Sequence, residues 1–138
     1  ARHVYTKSTC LSADVTAAYD PNYASAYEAG NSTYLNRGVG LSKYTGSRGK
    51  SGSNDANAEF VAQVRKIFDE GDVLWQIGEL GKVDQGGGGT VALDISRMNA
   101  DVIDVGVPVL SMHSPFEVVS KLDVYMAYKG FKTYFEAK

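Results

Sequence analysis

Between Asp101 and Met112 the chain is almost without residues that favour water. Asp101 to Val107 and Val109 to Met112 form near-continuous apolar runs. A strand with one wet face alternates apolar and polar residues; a strand covered on both faces does not. Such a strand needs helices above and below it, and the sequence supplies helical patterns between its strand-like segments. That alternation predicts an α/β domain rather than an all-β or all-helical one.

The remaining elements follow from local pattern. Residues 3–14 mix β-branched and aromatic residues (Val4, Tyr5, Thr6, Thr9) and read as one or two strands. Residues 19–37, rich in Tyr, Asn, Ser and Gly, read as a long loop. Residues 39–44 predict a short strand, and residues 45–54 a flexible connector. A helix is expected from about Asp55 to Glu70, capped by Asn54 or Asp55 and ended by Gly71. Phe60, Val61, Val64, Ile67 and Phe68 fall on one face of it. Residues 73–77 predict a strand anchored by Trp75, and Thr90 to Met98 a second helix. A third is expected from Pro115 to about Glu136, with Ser114 as N-cap, Glu117 completing a capping box, and Val124, Tyr128, Phe131 and Phe135 packing inward. The expected architecture is a layered α/β/α sandwich with a mixed central sheet, a single domain over residues 1–138. Three helices are a thin supply for covering both faces, and the chain opens inside strand-like sequence. An incomplete catalytic domain is therefore expected.

Composition narrows the function classes. A net charge of −2 gives no reason to expect nucleic acid or an anionic membrane as partner. No apolar stretch approaches the roughly 20 residues of a membrane span, and Ala1–Tyr5 does not read as a signal peptide. A single cysteine, Cys10, excludes an internal disulfide and suits a reducing, cytoplasmic compartment.

His113 carries the most chemical information. It closes the apolar run just before the expected helix start, a junction where metal ligands are commonly placed. A lone histidine there is also commonly a hydrogen-bonded structural residue. Asp14 ends the run Leu11-Ser12-Ala13 and reads alone as a turn or cap residue, like Asp20 before Pro21. Gly86–Gly89 followed by Thr90 suggests a phosphate cradle or a site of close backbone approach. The Lys-Ser/Thr pair of a Walker loop is missing, and so is Rossmann glycine spacing. Lys43, Glu79 and Asp84 read by default as solvated charges, and His3 has no partner at ligand spacing. No nucleophile elbow, CxxC, HExxH or EF-hand pattern occurs.

Taken together, four stretches resemble the aminopeptidase I/aspartyl aminopeptidase family of dinuclear zinc exopeptidases. They are Leu11-Ser12-Ala13-Asp14 with Asp20-Pro21-Asn22-Tyr23, then residues 40–44, residues 78–90 and residues 104–117. Their order and spacing cover nearly the whole chain and correspond to the C-terminal part of the catalytic domain. The resemblance implies that Asp14 and His113 are terminal ligands of two different zinc ions. It implies that Lys43 and the loop of Gly87, Gly88, Gly89 and Thr90 line a peptide-substrate cleft, and that the parent protein is a homo-oligomer. Cobalt or manganese would suit the same ligand types. The upstream ligands, the bridging aspartate and the glutamate base would precede Ala1, so the 138-residue chain is expected to be inactive alone. Ala17 and Asp20 stand where some relatives carry histidines.

Two readings of other kinds stay open. The chain is compatible with a small α/β binding module whose Gly86–Thr90 loop holds an anion without catalysis. It is also compatible with an interaction domain, given nine tyrosines. The enzyme reading requires Asp14 and His113 at one edge of the sheet; the binding-module reading requires only a concave, amide-rich glycine loop.

Overall fold

A computed structural model describes residues 2–48 and 51–137. In chain order the elements are α1 (Arg2–Tyr5), β1 (Thr9–Ser12), β2 (Thr16–Ala17), 3-10 turns at Pro21–Ala26 and Ala29–Asn31, β3 (Val39–Ser42), α2 (Ala58–Glu70), β4 (Trp75–Ile77), α3 (Ala92–Ser96), β5 (Asp101–Gly106), β6 (Pro108–Leu110), β7 (Val118–Val119) and α4 (Lys121–Glu136). One mixed sheet has the order β1-β5-β3-β4; a smaller one has the order β2-β6-β7. β1 and β5 are parallel, β5 and β3 antiparallel, and β3 and β4 parallel.

The apolar run that anticipated a buried strand is β5, buried from Val102 to Gly106. Its side chains alternate between two covered faces. Ile103 and Val105 join Val39 and Leu41 of β3 in a core closed by Phe60, Val61, Val64 and Phe68 of α2 and Met126 and Ala127 of α4. Val102 and Asp104 point to the opposite face, where α3 packs against β5. The result is the expected α/β/α layering.

The two sheets are one ribbon interrupted. Ser12 pairs with Asp104 and Thr16 with Pro108, the same offset on both sides of the break. Asp14 therefore lies opposite Gly106. The Thr16 amide donates to the Val107 carbonyl at 3.1 Å and carries the pairing into the second sheet.

Several local expectations are corrected. Residues 2–5 form a helical turn instead of a strand, because the Thr6 and Ser8 hydroxyls bond to the His3 and Val4 carbonyls. α2 begins later than expected, with Asn57 as cap: its side chain accepts from the Phe60 amide at 2.7 Å. Asn54 instead braces the sheet, its amide donating to the Val102 carbonyl at 3.0 Å. The expected helix from Thr90 to Met98 shrinks to Ala92–Ser96, because Val91 offers no capping side chain. Within the connector at 45–54, Ser47 and Ser51 pair across a turn; residues 49–50 lie outside the described residues.

The largest correction concerns the last helix. Ser114 does not cap it; its hydroxyl bonds to the backbone of Phe116, and residues 118–119 form β7 against β6. Ser120 is the cap. Val124, Tyr128 and Phe135 face outward, and Asp123, Met126, Ala127 and Gly130 face the core. That is a shift of one residue, about 100° of rotation about the helix axis. Its cause is Asp123, whose carboxylate is fully buried and accepts from the Gly38 and Asn36 amides, both at 2.7 Å.

Candidate functional site

Asp14 stands where β1 has ended and the ribbon has not yet resumed. Its carbonyl oxygen presses on Gly106 so closely that a Cβ there would lie 1.5 Å from it. Only glycine leaves that space, so Gly106 sets the position of Asp14. The Asp14 side chain is half-buried, and among the described residues no hydrogen bond or ion pair engages its carboxylate. It borders a shallow depression lined by Cys10, Ser12, Ala13, Val91 and Ile95.

Behind Asp14 lies Asp104, only 3% exposed. Its cross-strand partners are Ser12 on β1 and Ser42 on β3, so a row of three short polar side chains crosses the α3 face of the sheet. Asp104 Oδ2 accepts from the Thr90 hydroxyl at 2.8 Å, and Thr90 Oγ1 lies 3.3 Å from Thr45 Oγ1. Oδ1 is buried with no hydrogen-bond partner. Burial pushes the Asp104 carboxyl above the usual carboxylate range; the charge on Asp14 adds to this, and the Ser12 and Thr90 hydroxyls pull it back.

The glycine run is docked rather than free. The Gly86 amide donates to the Lys82 carbonyl at 2.7 Å, and the Gly86 carbonyl accepts from the Arg48 amide at 3.0 Å. Gly87 has φ +108° and lies against Gly46, where a Cβ would sit 1.7 Å from the carbonyl oxygen. Gly88 and Gly89 have open space around the Cβ position. Close backbone approach thus accounts for the first two glycines and not the last two. The anion-cradle reading is not favoured: α3 has five residues, and the Leu93, Asp94 and Ile95 amides already bond to the carbonyls of Thr90 and Val91.

Lys43 lies just beyond β3, two residues before Thr45. Its ammonium donates to the Asp55 carboxylate at 2.5 Å and to the Ala56 carbonyl at 2.9 Å. Glu79, expected in solvent, is instead 6% exposed on the wall of a small cavity formed with residues 44–46 and 80–87. Asp84 is exposed, and Asp20 caps the turn at Pro21–Ala26 through the Asn22 amide.

His113 lies in the exposed turn after β6 with φ +67°, preceded by Ser111 at φ +58°. Its backbone amide donates to Glu117 Oε1 at 2.6 Å. The Glu117 carboxylate thus makes the reciprocal bond of a capping box although no helix begins there. β1 and β5 are parallel, so Asp14 and His113 leave the four-stranded sheet by the same edge, with β6 and its turn between them. Among the described residues, no three His, Cys, Asp or Glu side chains gather as a metal-binding group. Asp14 and His113 are donors of the ordinary catalytic zinc types. Alone they are an incomplete set.

The structure therefore brings together Asp14, Thr90 with its glycines, and the segment following Lys43, all linked through Asp104; His113 stands at the far end of β6. Asp104, Ser12 and Thr45 were not singled out in the sequence. An acid interrupting the apolar strand was the visible signal for Asp104.

A profile of the family described as aminopeptidase I zinc metalloprotease (M18) matches residues 1–135. A probable M18 family aminopeptidase 1 of Clostridium acetobutylicum is 52% identical over 127 residues, covering 92% of this chain and 27% of its own length. The crystal structure of aminopeptidase I from that organism superposes with a TM-score of 0.92 at 50% identity, over 96% of this chain and 29% of the other. The more distant S. cerevisiae mApe1 dodecamer superposes with a TM-score of 0.76 at 25% identity, over 98% and 28%. The chain thus spans less than a third of the length of these relatives. With the family pattern running through all but its last residues, the chain belongs to the aminopeptidase I zinc metalloprotease family.

Proposed function

We propose that this chain is the C-terminal portion of the catalytic domain of a zinc aminopeptidase, which removes the N-terminal residue from peptides. The observation that carries the reading is the half-buried, unengaged Asp14 carboxylate, fixed by Gly106 at the sheet edge from which His113 also departs. Asp14 and His113 would each hold one of two zinc ions. Bound zinc supplies a Lewis acid and a water acidified enough to attack an amide near neutral pH. The chain's own part is positional. The loop of Gly87, Gly88, Gly89 and Thr90 forms a wall beside Asp14. Lys43, held by Asp55 and Ala56, lies close to Thr45, which touches that wall. Substrate would displace or share the Lys43 contacts.

The missing zinc ligands and the general base would come from sequence outside residues 1–138, so the isolated chain does not turn over substrate. The parent is expected to be a homo-oligomer, in keeping with the dodecameric relative, and to work in the cytoplasm. The test uses the full-length enzyme that carries this segment. Asp14→Ala and His113→Ala should each lower bound zinc by one ion, measured by elemental analysis, and abolish release of the leucyl or aspartyl residue from an anilide. Full zinc content in both variants would overturn the ligand assignment. Chelator-sensitive turnover by the 138-residue chain alone would overturn its predicted inactivity.

A further inference from the structure

The Asp104 side chain is unusual for its place. It stands in the middle of the most buried strand, with no Lys or Arg paired to it among the described residues, and with one oxygen lacking any hydrogen-bond partner. Removing a carboxylate from water costs several kcal/mol, and an apolar residue of similar volume is usually at least as stabilising. Fold stability alone therefore gives little reason for an acid at this position. Its strong outward link is to Thr90, the last residue of the glycine loop, at 2.8 Å.

The neighbouring links show what that bond controls. At its leading end the loop is held by backbone contacts, from Gly86 to Arg48 and from Gly87 to Gly46. Between these and Thr90 lie Gly88 and Gly89, with open space around them and no side chains to pack. Two consecutive glycines are the most conformationally free dipeptide available. Ordering them requires a clamp at each end, and the rear clamp is the Thr90 hydroxyl on Asp104, with Thr45 alongside at 3.3 Å. Asp104 in turn is set in the sheet two residues before Gly106, which sets Asp14.

We infer that Asp104 is a positioning residue: through Thr90 it holds the Gly88–Gly89 segment at a fixed height above the sheet edge occupied by Asp14. Its relevance to catalysis rests on the reading of Gly87–Thr90 as the wall of the substrate cleft. The clamp itself does not depend on that reading.

The clamp is tested in the 138-residue chain by amide hydrogen exchange, comparing Gly88, Gly89, Thr90 and Val91 with the α2 amides of Val64 and Phe68. Asp104→Ala and Thr90→Val should each speed exchange in the loop by about tenfold or more relative to α2. Asp104→Asn, which keeps an oxygen to accept from Thr90, and Thr90→Ser, which keeps the hydroxyl, should restore wild-type exchange. Thr90→Val serves if Asp104→Ala does not fold. Loop exchange that stays at the wild-type rate, or rises only in step with α2, overturns the clamp. So does an Asp104→Asn variant as loose as the alanine one. The cleft-wall reading is tested separately in the full-length enzyme, where loosening the loop with Asp104→Ala should raise KM more than it lowers kcat. A loosened loop with unchanged KM and kcat retains the clamp and removes its catalytic meaning.

Discussion

Replacing Asp123 removes the anchor that sets the rotation of α4, and the cost can be worked from its contacts. The carboxylate is fully buried. Each oxygen accepts one backbone amide, from Gly38 and from Asn36, at 2.7 Å. Both donors belong to residues with positive φ, +95° and +65°, so the turn preceding β3 has few alternative conformations that would keep these amides bonded. The cap residue Ser120 also reaches this turn, its hydroxyl donating to the Asn36 side chain at 2.9 Å. A hydrogen bond to a charged group contributes about 1.5–3 kcal/mol, and a buried donor left without a partner costs about 1–3 kcal/mol. A carboxylate in the first turn of a helix adds about 0.3–1 kcal/mol from the helix dipole. Asp123→Ala should therefore cost about 3–6 kcal/mol, much of the roughly 5–15 kcal/mol that holds a domain folded. Asp123→Asn keeps one acceptor and turns a donor toward the other amide, so about 2–4 kcal/mol is expected. Urea unfolding at neutral pH, followed by Trp75 fluorescence and far-ultraviolet circular dichroism, measures both. An alanine variant within about 1 kcal/mol of wild type, at unchanged m-value, would refute the anchoring argument.

Two further outcomes follow from the geometry around Asp14. Gly106→Ala puts a Cβ 1.5 Å from the Asp14 carbonyl oxygen, so the ribbon must part; a loss of at least about 3 kcal/mol is expected, and an alanine variant within about 1 kcal/mol of wild type would contradict the close approach. Burial raises the Cys10 thiol above its ordinary range, and Asp104 raises it further. A raised thiol holds less thiolate at any pH below its folded value, so iodoacetamide should modify Cys10 more slowly at pH 8 than a free thiol peptide. Asp104→Asn should speed that modification; an unchanged or slower rate would remove Asp104 from the account.

What could be read in advance divides by the range of the interaction that decides it. β5 was legible because burial on both faces suppresses alternation within a few residues. α2 was legible because its apolar face repeats within its own length. The rotation of α4 was not. Its apolar residues offer two stripes, and the choice is made by amides 85 and 87 positions earlier in the chain. Treating Val124, Tyr128, Phe131 and Phe135 as the inward face assumed that apolar side chains decide. Here a buried carboxylate decides, and Val124 and Tyr128 are left in solvent. The same applies to Ser114 and Glu117: the spacing of a capping box was present, but the pairing of residues 118–119 with β6 takes the chain away from helix.

The candidate site divides differently. Asp14, His113, Lys43 and the glycine loop entered through a family resemblance, and no local pattern would have selected them. Asp104 required no family knowledge and was still passed over, because one acid in a run of valines and isoleucine does not disturb an apolar tally. Physically it should disturb it more than any other residue there. An extra valine in a buried strand adds a few kcal/mol of ordinary burial. An acid in the same strand must be desolvated, and the loss is offset only if something specific bonds to it. The deviation from an apolar pattern therefore locates a constraint that the pattern cannot. In this chain it leads from the sheet to Thr90, through the hydroxyl that closes the glycine loop, and to the edge where Asp14 stands.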